Sequence, residues 1–301
     1  MSLLYASNPT FGLIDGGRGF YFFGLPIHWY AVIIITGALL ALASSNYRCK
    51  KRGFPGDSFD TPFIWAFPGG IIGARIWYVI ATWPGENGST QFTDNFWNVF
   101  KIWEGGLAIQ GGAIGGVLVG VIFILIRRKG WNVLDAMDCV VPTILIGQIF
   151  GRWGNFVNQE VYGMAISDPS AWGFLGPIMN RMYIRGDYRV PLFFLESIMN
   201  CGGYFVITRL LPFLEGRRYR VGDQAFFYFF WYGLIRMILE PLRDPAFNMG
   251  ADNGGNTGEV NSMQAVWMGL VFVIAAGVAI FLNHLIPYLL NKKKEGSVKN
   301  S

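Results

Sequence analysis

The sequence predicts an all-α integral membrane protein with seven transmembrane helices, its N-terminus outside and its C-terminus cytoplasmic. Of the 301 residues, 52% are hydrophobic and only 14% are charged, whereas about 25% of residues are charged in soluble domains. Apolar segments recur at close to the roughly 20 residues that a membrane-spanning helix needs. Basic residues cluster beside these segments, as they do in cytoplasmic loops.

The formal net charge of +5 is explained by membrane topology rather than by a nucleic-acid partner. Fifteen of the 24 Lys and Arg residues fall in four short groups, each beside an apolar segment, at 48–52, 127–129, 209–220 and 292–299. We assign all four groups to the cytoplasm because positive charge is retained on that side of a membrane.

Seven spans satisfy both patterns, at roughly 28–45, 63–83, 107–126, 133–150, 191–213, 225–242 and 263–290. They predict one membrane domain over residues 1–301, with a basic cytoplasmic tail at 291–301. Residues 153–190, between spans four and five, are predicted to form a small extracytoplasmic head. The N-terminus lacks the basic start and apolar core of a cleaved signal peptide, so we expect it to be retained.

The stretch 147–163 combines an apolar helix with side chains that a bilayer disfavours. Five polar or charged residues follow within nine positions, namely Arg152, Asn155, Asn158, Gln159 and Glu160. Such groups are costly at membrane depth and are therefore candidates for function. The planar guanidinium of an arginine suits a phosphate or a carboxylate. The alternative is a re-entrant helix end whose polar groups only satisfy one another.

Span six ends in a second charged group. Tyr232, Arg236 and Glu240 are spaced four residues apart, so they share one helix face, and Arg243 follows one turn later. An Arg236–Glu240 pair could neutralise itself. Arg243 and Arg152 leave further positive charge at the same outer end, which favours an anionic ligand there.

Spans two to four add three candidates. Arg75 is a third intramembrane cation, predicted to pair with Glu104 or Glu196, and Gln110 is the one strong hydrogen-bonding side chain within span three. The glycines around them are predicted to allow close helix packing. Asp138 either reaches the site through a helix break or lies at a helix N-terminus favoured by the dipole.

The two histidines and three cysteines do not indicate a catalytic or metal site. His28 is predicted to lie at the membrane interface, and His284 to hydrogen-bond a neighbour. The three cysteines have neither disulfide nor metal-ligand spacing. No metal set or nucleophile triad is legible in the sequence.

Residues 151–163 resemble the signature Gly-Arg-x-Gly-Asn-Phe-x-Asn-x-Glu-x-x-Gly of bacterial phosphatidylglycerol–prolipoprotein diacylglyceryl transferases. The stretch here is Gly151-Arg152-Trp153-Gly154-Asn155-Phe156-Val157-Asn158-Gln159-Glu160-Val161-Tyr162-Gly163. Further blocks follow in the family's order along nearly the whole chain, at 28–30, 73–78, 103–112, Asp138, 232–236, Glu240 and Arg243.

The resemblance implies a multi-pass enzyme of the bacterial cytoplasmic membrane. Its substrates are phosphatidylglycerol from the bilayer and a prolipoprotein whose signal peptide carries a lipobox cysteine. The diacylglyceryl group moves to the cysteine thiol as a thioether, and glycerol phosphate is released. No metal, cofactor or nucleic acid is implied.

The resemblance also assigns roles to residues. Arg152 and Arg236 are the catalytic residues, because preorganised cations stabilise charge on a departing phosphate. The remaining residues bind substrate or hold the arginines, and they are Tyr30, Arg75, Gln110, Asn155, Asn158, Glu160, Glu196, Tyr232, Glu240 and Arg243.

Three departures from the family pattern matter. Gln110 stands where the family commonly carries a histidine cast as the general base, and a neutral amide cannot take up a proton at working pH. Either electrostatics supply the thiolate or another group, such as His28, replaces the base. The block Val190-Pro191-Leu192-Phe193-Phe194-Leu195-Glu196 lacks the family's His and Tyr, and the Asn- and Gly-rich loop at 248–261 has no assigned counterpart.

A transporter or flippase for an anionic lipid is the alternative from another class. Intramembrane arginines fit it equally well, but internal repeats are missing and the charges gather at the outer end rather than the midplane. A membrane scaffold explains none of the three arginines.

Overall fold

A computed structural model describes residues 11–13, 19–23, 25–55, 59–83, 90–102, 106, 108–127, 132–216, 219–245 and 258–299. Most of these residues are helical. Five helical segments within them are long and apolar enough to cross a membrane, namely Trp29–Lys51, Asp60–Thr82, Val133–Asn158, Asp223–Leu242 and Ala265–Leu289. The chain is therefore a mostly helical, multi-pass membrane protein. The count of seven spans and their orientation stay predictions.

The chain divides into two compact units. One comprises Leu42–Cys139, and the other comprises Met1–Ala41 with Val140–Ser301. Helix α1 (Trp29–Lys51) contributes to both. The first unit further contains α2 (Asp60–Thr82), α3 (Gln91–Asp94), a 3-10 turn (Phe96–Phe100), α4 (Ile109–Arg127) and α5 (Val133–Val140).

Glycines bring α2 and α4 into backbone contact. A Cβ added at Gly73 would lie 2.9 Å from the Gly115 Cα and would collide with the Gly111 carbonyl oxygen. Small residues allow this approach in membranes, where helices associate through close packing. The packing role predicted for these glycines is confirmed.

We expect Gly73→Ala to lower the midpoint of thermal unfolding in detergent, because overpacking a tight contact costs about 1–3 kcal/mol. Gly120→Ala is the matched control, since no described atom lies within 4 Å of a Cβ added there. Both substitutions gain the same helix propensity, about 1 kcal/mol. Equal midpoints for the two variants would show that the contact is not tight.

Arg75 fastens α2 to the 3-10 turn. Its Nε donates to the carbonyl oxygen of Val99 at 2.7 Å, Nη1 to that of Gly106 at 3.0 Å, and Nη2 to that of Asn98. The side chain is buried, so these carbonyls supply the negative ends of dipoles around it. Glu104, one of its two predicted partners, lies outside the described residues.

Asp138 lies on α5 and is fully buried. Its Oδ2 is 3.3 Å from Arg52 Nη1, and the same guanidinium nitrogen pairs with Asp135. Asp138 therefore has an ion-pair partner in its own unit, which the sequence did not predict. A 3-10 turn (Val141–Thr143) that contains Pro142 separates α5 from the next helix, so span four does contain a helix break.

The second unit contains the remaining helices. They are α6 (Ile144–Asn158), α7 (Pro177–Arg181), α8 (Leu192–Phe205), α9 (Leu211–Glu215), α10 (Asp223–Leu239) and α11 (Gly258–Lys299). A π-helical segment (Val206–Leu210) joins α8 to α9, so span five is helical without being one regular α-helix. Helix α6 extends past the predicted end of span four at Phe150, so residues 153–158, which were predicted to open the head, are still helical. Residues 159–190 are called the head below, and their location outside the membrane stays a prediction.

Two small antiparallel sheets modify the all-α prediction. Strands β1 (Phe11–Leu13), β2 (Gly19–Phe22) and β3 (Leu25–His28) pair in sequence order before α1. In the head, β6 (Asp187–Arg189) lies between β4 (Ala165–Ile166) and β5 (Tyr183–Ile184). Strands of two to four residues carry too little alternation to be recognised in a sequence.

The head is anchored on the ends of the helices that carry the charged residues. Phe193 of α8 belongs to the head's core and stacks on Phe156 of α6, with the two ring centroids 4.3 Å apart. The Met164 amide donates to the Leu242 carbonyl oxygen at 2.9 Å, and Arg189 pairs with Asp244 at 2.6 Å. These contacts fix the end of α10 beside the end of α6.

Candidate functional site

Arg152 heads a chain of polar contacts at the end of α6. Its Nε lies 2.8 Å from Glu196 Oε2 on α8, and its Nη1 donates to Asn155 Oδ1 at 3.2 Å. Asn155 and Asn158 each donate to Glu160 Oε1, at 3.2 and 3.3 Å. Glu196, which the sequence offered as a partner either for Arg75 or for the arginines of the site, pairs with Arg152. The two asparagines link that arginine to Glu160.

The second cluster lies at the end of α10. Glu240 Oε2 is 2.9 Å from Arg236 Nη1 and 3.5 Å from Arg243 Nη2. Among the described residues, neither Glu240 oxygen makes an aligned hydrogen bond, and Arg243 Nε is buried without one. The Glu240 carboxylate therefore interacts with two guanidinium groups by charge, without an aligned hydrogen bond. The N–H group at Arg243 Nε is left without an acceptor. The predicted Arg236–Glu240 pair is present, but it does not neutralise Arg243.

The two clusters act on each other electrostatically. Burial lowers the pKa of Arg243; Glu240 opposes this effect, while Arg236 and Arg152 lower the pKa further. An arginine remains charged despite such a shift, so the three cations repel one another. The side chains of Arg152, Arg236 and Arg243 keep exposed fractions of 21%, 13% and 13%. An anion that reached them would relieve the repulsion.

Two tyrosines border the cations. The Tyr30 ring packs on Gly154, where an added Cβ would lie 2.8 Å from Tyr30 Cδ2, and Tyr30 is within electrostatic range of Glu160 and Arg152. Tyr232 lies one turn before Arg236 and packs edge-on to Phe272, with ring centroids 5.5 Å apart. Gly154 is therefore needed for the close approach of Tyr30.

The backbone is strained on both sides of Glu160. Gln159 and Val161 have φ angles of 55° and 54°. This left-handed region is unfavourable for a β-branched residue such as valine, and such conformations cost about 1–3 kcal/mol each. The bonds from Asn155 and Asn158 hold Glu160 within this strained turn.

The sequence-predicted site residues fall in two places. The unit that contains the charged clusters holds Tyr30, Asn155, Asn158, Glu160, Glu196, Tyr232, Glu240 and the three arginines Arg152, Arg236 and Arg243. Arg75 and Gln110 lie in the unit Leu42–Cys139, Gln110 in the first turn of α4. The substrate-binding roles of Arg75 and Gln110 stay predictions.

Four polar residues beside the site were missed by sequence reasoning. Gln148 Nε2 donates to the Tyr228 hydroxyl at 3.2 Å, and Ser197 and Asn200 are buried on α8. The sequence could have indicated three of them by their spacing. Gln148 lies four residues from Arg152, Asn200 four from Glu196, and Tyr228 four from Tyr232. That spacing places them one turn away on the same helix faces.

The two histidines lie elsewhere. His28 ends β3 at the start of α1. His284 Nε2 is 3.0 Å from Asp223 Oδ2, which confirms the predicted hydrogen bond to a neighbour. Ligand atoms of Glu215, Asp223 and His284 lie within 4.8 Å of one another. Asp223 already accepts from Asn283 and from the Arg220 amide, so its oxygens are used within the fold.

The chain is similar to one family of known proteins. A model described as prolipoprotein diacylglyceryl transferase matches residues 19–280. A phosphatidylglycerol–prolipoprotein diacylglyceryl transferase of Halalkalibacterium halodurans is 40% identical over 219 residues, 72% of each chain. The protein of the same name from Lactococcus lactis subsp. lactis is 34% identical over 258 residues, covering 86% of this chain and 90% of the relative.

Proposed function

Because this chain belongs to the prolipoprotein diacylglyceryl transferase family, we propose that it transfers the diacylglyceryl group of phosphatidylglycerol to a prolipoprotein. The acceptor is the lipobox cysteine at the end of the signal peptide. Its sulfur forms a bond to the terminal glycerol carbon, and the bond from that carbon to the phosphate oxygen breaks. Glycerol phosphate leaves, and the thiol proton passes to a base or to solvent.

The proposal rests on the excess of positive charge at the ends of α6 and α10. Three arginines, Arg152, Arg236 and Arg243, share only two carboxylates, those of Glu196 and Glu240. Negative charge grows on the departing phosphate in the transition state. Preorganised donors directed at such charge stabilise it most in a site of low dielectric constant. Arg152 and Arg236 supply that stabilisation, and Asn155 and Tyr232 orient the head group.

The same positive potential prepares the nucleophile. A thiolate attacks far better than a thiol, and nearby arginines lower the pKa of a cysteine. The incoming cysteine is therefore deprotonated more readily at the arginine site than in solution. This effect removes the need for a histidine at position 110.

We expect Gln110→Ala to retain transfer, with a fall in kcat/KM of no more than about tenfold. An amide contributes a hydrogen bond worth about 1 kcal/mol but cannot act as the base. Turnover would be followed by the mass of a lipobox peptide over a series of pH values. Loss of transfer while lipid binding survives would show that Gln110 has an essential catalytic role.

The proposed site faces the outer leaflet of a bacterial cytoplasmic membrane. The four basic groups of the sequence are cytoplasmic by the positive-inside rule. This orientation places the ends of α6 and α10, with their arginines, on the opposite side. A secreted preprotein presents its lipobox cysteine on that side, so both substrates meet there.

Purified protein, phosphatidylglycerol and a lipobox peptide would test the proposal, with the peptide mass as the measurement. The expected result is a gain of one diacylglyceryl group on cysteine and release of an equal amount of glycerol phosphate. A peptide in which serine replaces the cysteine is the control. Lipid binding without any mass gain would overturn the proposal and favour a flippase for anionic lipids.

A further inference from the structure

A second layer of polar side chains lies one helical turn from the arginines. The contacts Phe156–Phe193 and Arg152–Glu196 show that α6 and α8 run antiparallel. Continued by four residues along each helix, this register places Gln148 and Asn200 at the same level, about 6 Å along the helix axes from Arg152 and Glu196. This layer lies farther from the head than the arginines do, and therefore deeper in the predicted membrane.

This second layer has unused hydrogen-bonding capacity. Among the described residues, Asn200 Nδ2 and Ser197 Oγ have no hydrogen-bond partner, although the two residues are 1% and 5% exposed. Gln148 is partly exposed and gives one Nε2 hydrogen to Tyr228, which leaves a second. Buried donors without acceptors are costly, most of all within a membrane. They indicate a ligand acceptor.

Space for a ligand lies beside Gln148. No described atom lies within 4 Å of a Cβ added at Gly147 or Gly151. These glycines are one turn apart on α6 and directly precede Gln148 and Arg152, so this side of the helix is open at both levels. The open side therefore extends over the turn that separates Arg152 from Gln148, and a lipid held at the arginines has room beside α6 at the level of the second layer.

We propose that Gln148 and Asn200 bind the ester carbonyls of the diacyl lipid while the arginines hold its phosphate. This inference rests on the proposed function. In such a lipid the ester groups lie a few bonds below the phosphate, next to the carbon that reacts. Gln148 and Asn200 each offer an amide N–H donor, and the two ester groups of the lipid each offer a carbonyl acceptor. Fixing the esters aligns the reacting carbon with the incoming sulfur, so Gln148 and Asn200 select lipid and position it.

The test compares diester phosphatidylglycerol with its diether analogue, which has the same chains but no carbonyls. We expect the wild-type protein to use the diester about tenfold more efficiently in kcat/KM, because lost hydrogen bonds are worth up to that factor. Gln148→Met and Asn200→Leu should each lower the diester value about threefold to tenfold and leave the diether value unchanged.

Thr208→Val on the neighbouring π segment is the control, since that hydroxyl already donates to the Tyr204 carbonyl oxygen at 2.6 Å. It should leave the diester-to-diether ratio as in wild type. A ratio near one in the wild-type protein, or an unchanged ratio in both amide variants, would overturn the inference. The diester-to-diether ratio of the wild-type protein tests the inference even if a variant fails to fold. Absence of transfer from the diester would instead refute the proposed function.

Discussion

Arg236→Gln is expected to lower kcat for diacylglyceryl transfer at least about a hundredfold, while KM for phosphatidylglycerol rises much less. Loss of one preorganised donor to a developing negative charge costs about 10²–10³ in rate. The charge on the phosphate increases as the glycerol bond breaks, so the effect falls mainly on kcat. Glutamine keeps a hydrogen-bond donor near the site but removes the positive charge.

The fold should survive this change. Glu240 keeps Arg243 as a partner at 3.5 Å when Arg236 is replaced, so no buried carboxylate is left without a cation. Arg181→Gln is the matched control, because Arg181 is an exposed arginine of the same unit that lies over the Phe156 ring. A similar loss of kcat in both variants, at equal thermal midpoints, would contradict a catalytic role for Arg236.

Much of the helical framework was predictable because hydrophobic length and flanking charge are local properties of a sequence. The five apolar helices overlap predicted spans one, two, four, six and seven. The helix ends were less predictable. Helix α6 continues to Asn158 because Arg152, Asn155 and Asn158 find polar partners among themselves and in Glu160 and Glu196, and such satisfaction is invisible to a hydropathy pattern.

Contacts within the candidate site were predictable where the residues are close in sequence. The four-residue spacing of Arg236 and Glu240 gave their ion pair directly. Glu196 was available as a partner for Arg75 or for Arg152, and only the packing of α6 against α8 selects Arg152. Asn200 could have been found from its four-residue spacing to Glu196. Ser197 gave no such signal, because a serine in an apolar helix becomes informative only when its burial is known.

Glu240 is expected to be important for the stability of the protein, because its buried carboxylate lies between two arginines. Glu240→Gln is expected to destabilise the protein by about 3–5 kcal/mol, since removing one partner from a buried ion pair leaves charges uncompensated. Arg236 and Arg243 would then face each other without the carboxylate between them. Thermal unfolding in detergent would measure the change. Asp187→Asn is the control, because Asp187 is 59% exposed and 3.7 Å from Arg189, and surface pairs contribute about 0–1 kcal/mol.

Added lipid then reports what the arginines bind. A ligand that binds only the native state stabilises it by about 2.7 kcal/mol at a hundred times its Kd. In Glu240→Gln the phosphate of short-chain phosphatidylglycerol also replaces the missing carboxylate, so we expect a larger rise in thermal midpoint than in wild type. Diacylglycerol, which lacks the phosphate, should give no such excess. An equal rise in both proteins would mean that the phosphate does not reach Arg236 and Arg243, and the site of the departing charge would then have to lie at Arg152.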